Sequence, residues 1–495
     1  MGESVCQRWF SMNYLDMTIL DIHQALLEGK VTATELFNEA IKRAKEDNNN
    51  AFEYITEKEG QELLKELDKK DKNHPLWGIP FVIKDNFSTK EIPTTASSNL
   101  LKDYRPVFSS EVYQRLIDVG AIPVGKTTLD EFAMGGMGKT GHLGKTYNPY
   151  DPTHKLIVGG SSCGSAAATA NNIAPIGIGS DTGDSVRKPA SYAGLVGFKP
   201  TWGRISRYGL FPFASSLDHV AYFTRSVVDS AIVLSLLAGR DDKDSTSSFK
   251  PVENYEKRLK PCISGVKIAV IKEFYDAVKD KNIKKTFCEN IAKLQDQGAV
   301  VNFVSLDMRL CKAIYPTYLI IANAESTSNN ANIDGIKFGV RQDGKTYQEM
   351  MIKTRTEGFS ELIKRRFLIG SYALLKENQH DMFLRAQKCR RLIVDAINQI
   401  LKDNDVIYLP ASPTTAIPFE SSATISEERN IAEDYLAFGN FAGLPSLTLP
   451  LGKTNGLPFG VNITAKAFEE QKVFDIALAI ENITGLKNMS AVNNK

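Results

Sequence analysis

Cysteine and histidine are scarce in this chain, and neither is arranged for metal chemistry. Six cysteines (Cys6, Cys163, Cys262, Cys288, Cys311, Cys389) are scattered over 495 residues with no Cys-x-x-Cys pair, and the six histidines show no metal-ligand spacing. That argues against a disulfide framework and a zinc site, and makes a reducing compartment the default. Long apolar runs are lacking too. No stretch approaches the roughly 20 apolar residues of a membrane span. No basic segment followed by an apolar core opens the chain, so a secretory signal is not expected. Met1-Gly2 begins like a myristoylation site, but Cys6 stands where Ser or Thr is wanted. The residues before Met12 read as an upstream start or a weak targeting extension. Finally, neither charge is in excess: Lys and Arg number 60, Asp and Glu 58, for a net charge of +2. That makes no electrostatic case for nucleic-acid binding by this chain alone. The clusters Lys364-Arg365-Arg366 and Arg390-Arg391 are read as solvated helix faces.

What is present fits a soluble enzyme. Hydrophobic residues make up 42% and charged residues 24%, an ordinary globular balance. The length allows two or three domains or one large α/β domain. Thr32 and Glu35 form a capping box ahead of Leu36, Phe37, Ala40, Ile41 and Ala44 at helical spacing. The charged stretch to Lys72 is expected to be helical as well. Residues 1–72 are therefore expected to be a helical segment packed on a core that occupies 73–495. Strands are expected at Ile79 to Ile83, Ala121 to Val124 and Pro175 to Ser180, then at Val266 to Ile271, Val406 to Leu409, Ser446 to Pro450 and Phe459 to Ile463. Helices are expected over 109–119 and 471–482, and Thr128 is expected to cap a short helix with Glu131. Asn455-Gly456 is a hairpin signal. The polar stretch 239–260 reads as a surface connection between two halves. Alternating strands and helices give an α/β fold class.

Three glycine patterns invite a nucleotide or hydrolase reading. Gly120 to Thr127 fits the P-loop expression, but a helix precedes it and the strand-like residues fall inside the supposed loop. Gly136 to Gly141 fits a dinucleotide fingerprint, again after a helix, and is expected to be a loop. Gly160-Ser161-Ser162-Cys163-Gly164 fits the nucleophile elbow in a suitable context. On that reading Ser162 is the nucleophile, with His219 or His380 as base. Ser185 alone reads as a helix N-cap, and Lys84 alone as an exposed residue at a strand end.

Taken together, Gly78 to Asn86 around Lys84, Gly159 to Gly164 around Ser161, and Gly179 to Arg187 around Ser185 could supply a nucleophile, a relay and a base without histidine. The run from Gly159 through Gly179-Ser180-Asp181-Thr182-Gly183-Asp184-Ser185 to Gly194 and Arg204 resembles the amidase signature. Arg207 to Asp218, Asp334 to Gly339, Lys353 to Phe359, Lys364 to Arg366 and Gly443 to Ser446 are similar to one branch of that family, the A subunits of glutamyl-tRNA(Gln) amidotransferases.

The resemblance implies an α/β/α fold around a large mixed sheet. It implies Ser185 as nucleophile, Ser161, in a cis peptide, as bridge, and Lys84 as base. It places the oxyanion at the backbone amides of Thr182, Gly183, Asp184 and Ser185. Glutamine is the implied amide donor, with Arg366 for its carboxylate, Asp434 for its ammonium and Tyr318 in the pocket. Arg365 replaces Arg366 under a one-residue shift. The B and C subunits of such an amidotransferase are the implied partners. Glu-tRNA(Gln) is met mainly through the partner, and ATP and Mg belong in that partner rather than in this chain. No metal and no membrane are implied, and the compartment is the cytoplasm or an organelle matrix. Two residues depart from the family pattern: Asp184 and Cys163 stand where glycine is usual. The competing readings are a free-standing amidase and a degenerate scaffold subunit.

The chemistry is sound on its own terms. A serine hydroxyl needs a base to become nucleophilic. With a pKa of about 10.4, roughly one lysine in a thousand is neutral near pH 7.4. Burial lowers that pKa and raises the neutral fraction.

Overall fold

The computed structural model describes residues 13–423 and 430–492; the readings of Met1-Gly2, Cys6 and the segment before Met12 lie outside them. Among the described residues, eleven strands form one sheet: β1 (Phe52–Ile55), β2 (Pro80–Lys84), β3 (Ile122–Thr127), β4 (Ile176–Asp181), β5 (Val196–Lys199), β6 (His219–Thr224), β7 (Lys267–Ile271), β8 (Val300–Val304), β9 (Val406–Pro410), β10 (Ser446–Thr454) and β11 (Leu457–Ala465). Their spatial order is β1-β3-β2-β4-β6-β5-β10-β11-β9-β7-β8. β2 runs parallel to both β3 and β4, and β7 parallel to β8 and β9. The middle of the sheet, from β4 through β6, β5, β10 and β11 to β9, is antiparallel. The fold is α/β with a mixed sheet. Every residue of β2 to β6 and of β9 is buried, so both faces of the sheet are covered. That is why β2 and β9 read as nearly continuous apolar runs rather than alternating ones.

The capping box at Thr32 and Glu35 forms as expected and starts the helix Ala33–Lys45. The 109–119 and 471–482 expectations become Glu111–Asp118 and Glu470–Thr484. Asn455 and Gly456 both take positive φ, 52° and 79°, as a two-residue hairpin turn requires.

Three local expectations are corrected. Residues 52–55, inside the stretch read as helical, form edge strand β1 against β3. Four half-buried residues are too short for a period to register. Glu131–Ala133 is a single 3₁₀ turn, and Thr128 does not cap it; its hydroxyl donates to the Asn50 carbonyl instead. Strands β5, β6 and β8 escape the sequence reading, β5 because its four residues are hidden in a glycine-rich run.

Between β8 and β9 the chain makes an excursion of helices: Met308–Asn329, Tyr347–Gly358, Glu361–Leu374 and Arg385–Asp403. The first and third carry Tyr318 and Arg366. No helix among the described residues is long and apolar enough to cross a membrane.

Candidate active site

Lys84 ends β2, wholly buried rather than exposed. Its Nζ donates to Ser161 Oγ at 2.8 Å, Ser162 Oγ at 3.0 Å and Ser180 Oγ at 2.9 Å. Burial pushes the ammonium down from 10.5 to about 7, against the upward pull of Cys163, Asp130, Asp181 and Asp218. Neutral Nζ has two protons and a lone pair, so one of these hydroxyls must donate back. Ser162 cannot, because its proton goes to the Ser180 carbonyl at 3.0 Å. Ser161 and Ser180 both can: neither hydroxyl donates to another acceptor among the described residues, and Ser161 bonds to Lys84 alone.

Close approach explains the glycines around these serines. A Cβ on Gly160 would lie 2.2 Å from Asp130 Oδ2, and one on Gly179 2.8 Å from Ser162 Oγ. The Gly160-Ser161 peptide is cis. Ser162 opens the helix Cys163–Ala170 as its N-cap residue, and its N–H donates to the Ser185 carbonyl at 3.2 Å. That bond lays the Ser185 loop against the Ser161 loop.

Ser185 is 4% exposed, and its hydroxyl makes no hydrogen bond among the described residues. It lies in the loop between β4 and the helix Arg187–Ala193, whose N-cap residue is Val186, not Ser185. The loop is held from behind by a buried ion pair. Arg187 Nη2 lies 2.8 Å from Asp181 Oδ1, and the same nitrogen donates to the Gly183 carbonyl and to Asn440 Oδ1. Burial pushes the Asp181 carboxyl up, but the Arg187 charge more than reverses this and holds it well below the usual range. With its carbonyl tied to Arg187, the Gly183-Asp184 peptide turns the Asp184 N–H the other way, since C=O and N–H oppose each other in a trans peptide. The N–H groups of Thr182, Gly183, Asp184 and Ser185 donate to no acceptor among the described residues. Four consecutive N–H groups without a protein acceptor beside a serine are the kind of donors that an oxyanion requires.

The remaining predicted residues surround this loop. The Tyr318 ring lies over Gly183, where a Cβ would meet its Cε2 at 3.0 Å. Burial pushes the Tyr318 hydroxyl up, and the nearby Arg366 charge opposes this. Arg366 donates to Asn323 Oδ1 at 3.2 Å and stacks over Phe213, while its buried Nε has no partner among the described residues. Arg365 is exposed, so the pocket side of this helix belongs to Arg366. Asp434 lies near Lys188, where burial pushes the ammonium down and Asp184, Tyr192 and Asp434 together more than reverse it. The Asp184 carboxylate turns toward Lys188 Nζ, at 2.6 Å. Cys163 is buried, its thiol facing the Thr128 carbonyl.

The rival motifs dissolve in the same geometry. Gly125, Lys126 and Thr127 are inside β3, and Lys126 is ion-paired to Asp85 at 2.8 Å. The amides of Met137, Gly138, Lys139 and Thr140 all donate to the Asp130 carboxylate, so the second pattern already holds its anion. His219 bonds to the Leu217 carbonyl and Asn440, and exposed His380 to Asp381. Neither touches Ser162. The basic clusters are not uniformly solvated either: Arg390 donates to the Phe441 carbonyl and to Ser216.

Comparison with known proteins agrees with this constellation. The family description "Amidase" matches residues 33–474. The chain belongs to the amidase family. Within it, the chain is 40% identical over 474 residues, 95% of its length and 97% of the relative's, to the A subunit of the glutamyl-tRNA(Gln) amidotransferase of Lactobacillus delbrueckii subsp. bulgaricus. The subunit of that name from Thermotoga maritima superposes with a TM-score of 0.74 at 33% identity, covering 95% of each chain. The peptide amidase of Stenotrophomonas maltophilia superposes with a TM-score of 0.81 at 26% identity, covering 95% of this chain and 98% of the other.

As an amidase site, the constellation contains residues that sequence reasoning missed. Ser180 and Asn86 were not singled out, yet Ser180 receives both Lys84 Nζ and Asn86 Nδ2, the latter at 3.1 Å. Their signal was present: Ser180 sits in the second glycine-serine run and Asn86 two residues after Lys84. Lys188 lies in the same run, three residues after Ser185; Asn440 carried no such signal.

Proposed function

We propose that this chain is the glutaminase subunit of a tRNA-dependent amidotransferase. The site supports amide hydrolysis. The assignment to this particular subunit is carried by 40% identity over 95% of the chain to the A subunit of a glutamyl-tRNA(Gln) amidotransferase. Ser185 Oγ attacks the side-chain carbonyl of glutamine, and its proton passes through Ser161 to neutral Lys84. The oxyanion is received by the amides of Thr182, Gly183 and Asp184. Collapse breaks the C–N bond, Lys84 returns the proton through Ser161, and ammonia leaves. A glutamyl ester on Ser185 remains, which water hydrolyses by the reverse proton route. At a lysine pKa of about 7, roughly two-thirds of Lys84 is neutral at pH 7.4.

Free glutamine carries both charges. The unpartnered Nε of Arg366 suits its carboxylate, Asp434 its ammonium, and Tyr318 closes the pocket above Gly183. Ammonia then passes to the B subunit, which with ATP and Mg amidates Glu-tRNA(Gln); a small third partner, the C subunit, completes the complex. This places the protein in the cytoplasm or an organelle matrix. The free-standing amidase reading has less support, since the peptide amidase is 26% identical. The scaffold reading rests on Asp184 blocking the pocket, and that carboxylate points to Lys188.

The test is ammonia release from glutamine by the full chain, alone and with its partner subunits, ATP and Glu-tRNA(Gln), with Ser185→Ala as control. Activity that rises with the partners and vanishes in Ser185→Ala is expected. Strong partner-independent hydrolysis of other amides would replace this reading with the free-standing amidase, and silence in the assembled complex with the scaffold.

A further inference from the structure

An acidic residue directly before a serine nucleophile is a liability. The oxyanion forms next to the Asp184 N–H, and a carboxylate a few ångströms away would repel it. At about 5 Å and an effective dielectric near 20, that repulsion slows the reaction on the order of 100-fold. The structure shows where the charge goes instead. Lys188, four residues on and the second residue of the helix Arg187–Ala193, grips Asp184 twice. Its backbone N–H donates to the Asp184 carbonyl at 2.9 Å, and its Nζ meets Asp184 Oδ2 at 2.6 Å. The two side chains are 12% and 24% exposed, so water screens the pair little. Arg187 binds the Gly183 carbonyl on one side and Lys188 binds the Asp184 carboxylate on the other, leaving the amides between them free.

We propose that Lys188 is a positioning residue that holds the Asp184 carboxylate out of the anion pocket, and that this pairing is what lets an acidic residue precede the nucleophile. The role rests on Ser185 being the nucleophile but is independent of which amide is cleaved. Two neighbours fit it. Asp434 and Tyr192 also act on the Lys188 ammonium and, with Asp184, keep it charged against the cost of burial. The Asp184–Lys188 pair is formed within one helical turn, so it is in place before substrate arrives.

The experiment uses the full chain with its partner subunits and two readouts. One is kcat and KM for glutamine. The other is the rate at which a neutral fluorophosphonate labels Ser185, a reaction that forms an O–P bond, expels fluoride and needs the same anion pocket. Lys188→Gln is expected to cut both kcat and the labelling rate by about 10-fold or more, with KM little changed. Asp184→Gly combined with Lys188→Gln is expected to recover most of that loss, and Lys188→Arg to retain the rate. A Lys188→Gln protein that labels at the parent rate overturns the proposal. So does a loss confined to KM, which would make Lys188 a contact to substrate charge. If Lys188→Gln is not recovered folded, the double variant decides: folded but more than about 10-fold slower than the parent, it overturns the proposal. Labelling that depends on Lys188 in a protein without glutaminase activity would sustain this inference and sink the glutamine assignment.

Discussion

Two lysines sit side by side in this sheet, equally buried and differently employed. Lys84 ends β2 and Lys126 lies in β3, where it is paired in register with Ile83; both are 0% exposed. Alternation along neighbouring parallel strands sends their side chains to opposite faces. On one face Lys84 meets three neutral hydroxyls. On the other, Lys126 meets the Asp85 carboxylate, the Phe87 carbonyl and the hydroxyls of Thr89 and Thr94. Burial pushes both ammonium groups down, but only Lys126 has a contacting carboxylate to oppose it. The lesson is that burial alone does not make a base. On the proposed mechanism Lys84 serves as one because the groups it contacts are neutral hydroxyls. Asp85 is the next residue after Lys84, yet its carboxylate is committed to Lys126 and to Thr95. Lys126 thus keeps a neighbouring anion from holding Lys84 protonated.

The sharpest break of this comparison is Lys84→Met. It should lower amide hydrolysis by about 10⁴-fold while leaving the protein as stable or more so. A lysine held at about 7 in the folded state binds fewer protons than the unfolded chain between about pH 7 and 10.5. Its penalty is therefore full below about 7 and lifts as pH rises toward 10.5. Urea midpoints at pH 7 and pH 10 read this: the variant should gain on the parent at pH 7 and lose that advantage at pH 10. A variant that unfolds more easily at pH 7 would show Lys84 to be structural, like its neighbour.

A second test leaves the chain intact. Because the base must be neutral, kcat/KM should climb about tenfold per pH unit below about 7 and level off above it. A profile still flat at pH 5.5 would mean that Lys84 does not carry the titration.

The opposite lysine should fail differently. Lys126→Met strands the Asp85 carboxylate in the core and should cost about 3 to 5 kcal/mol of stability, read as a lower urea midpoint. Adding Asp85→Asn should return part of that loss. An unchanged midpoint in Lys126→Met would erase the contrast between the two sites.

The smallest effect belongs to the hydroxyl shell. Ser180→Ala removes one of the three partners of Lys84 and should lower kcat/KM about tenfold, with Ser180→Thr restoring it. Equal rates in all three proteins would reduce that shell to Ser161 and Ser162.

Much of this was open to inspection in the sequence. The glycine-serine loops announce themselves because glycine is demanded by contacts made within a few tens of residues, as at Gly160 against Asp130; Lys84 is legible only beside them. The capping box is legible because its two bonds span three residues. Short strands were not. β1 and β5 have four residues each, and only a partner strand tells such a segment from a loop. Nor were the supports supplied from far along the chain. Nothing near Asn440 says that its amide will reach Asp181, 259 residues earlier. Asp184 looked like an obstruction because the sequence does not say which way a carboxylate turns.

The span between Arg187 and its distant acceptors governs when this enzyme comes into being. The loop that carries Ser185 is tied down through Arg187 to the Leu436 carbonyl, 249 residues later, and to Asn440, 253 residues later. At ribosomal speeds that interval lasts roughly 10 to 50 s. Through it, the nascent chain carries Ser185, Ser161 and Lys84 with Arg187 held only by Asp181 and the Gly183 carbonyl. The acceptors at Leu436 and Asn440 arrive long after the loop they anchor, so a chain released before them holds Lys84, Ser161 and Ser185 and still lacks part of that loop's support.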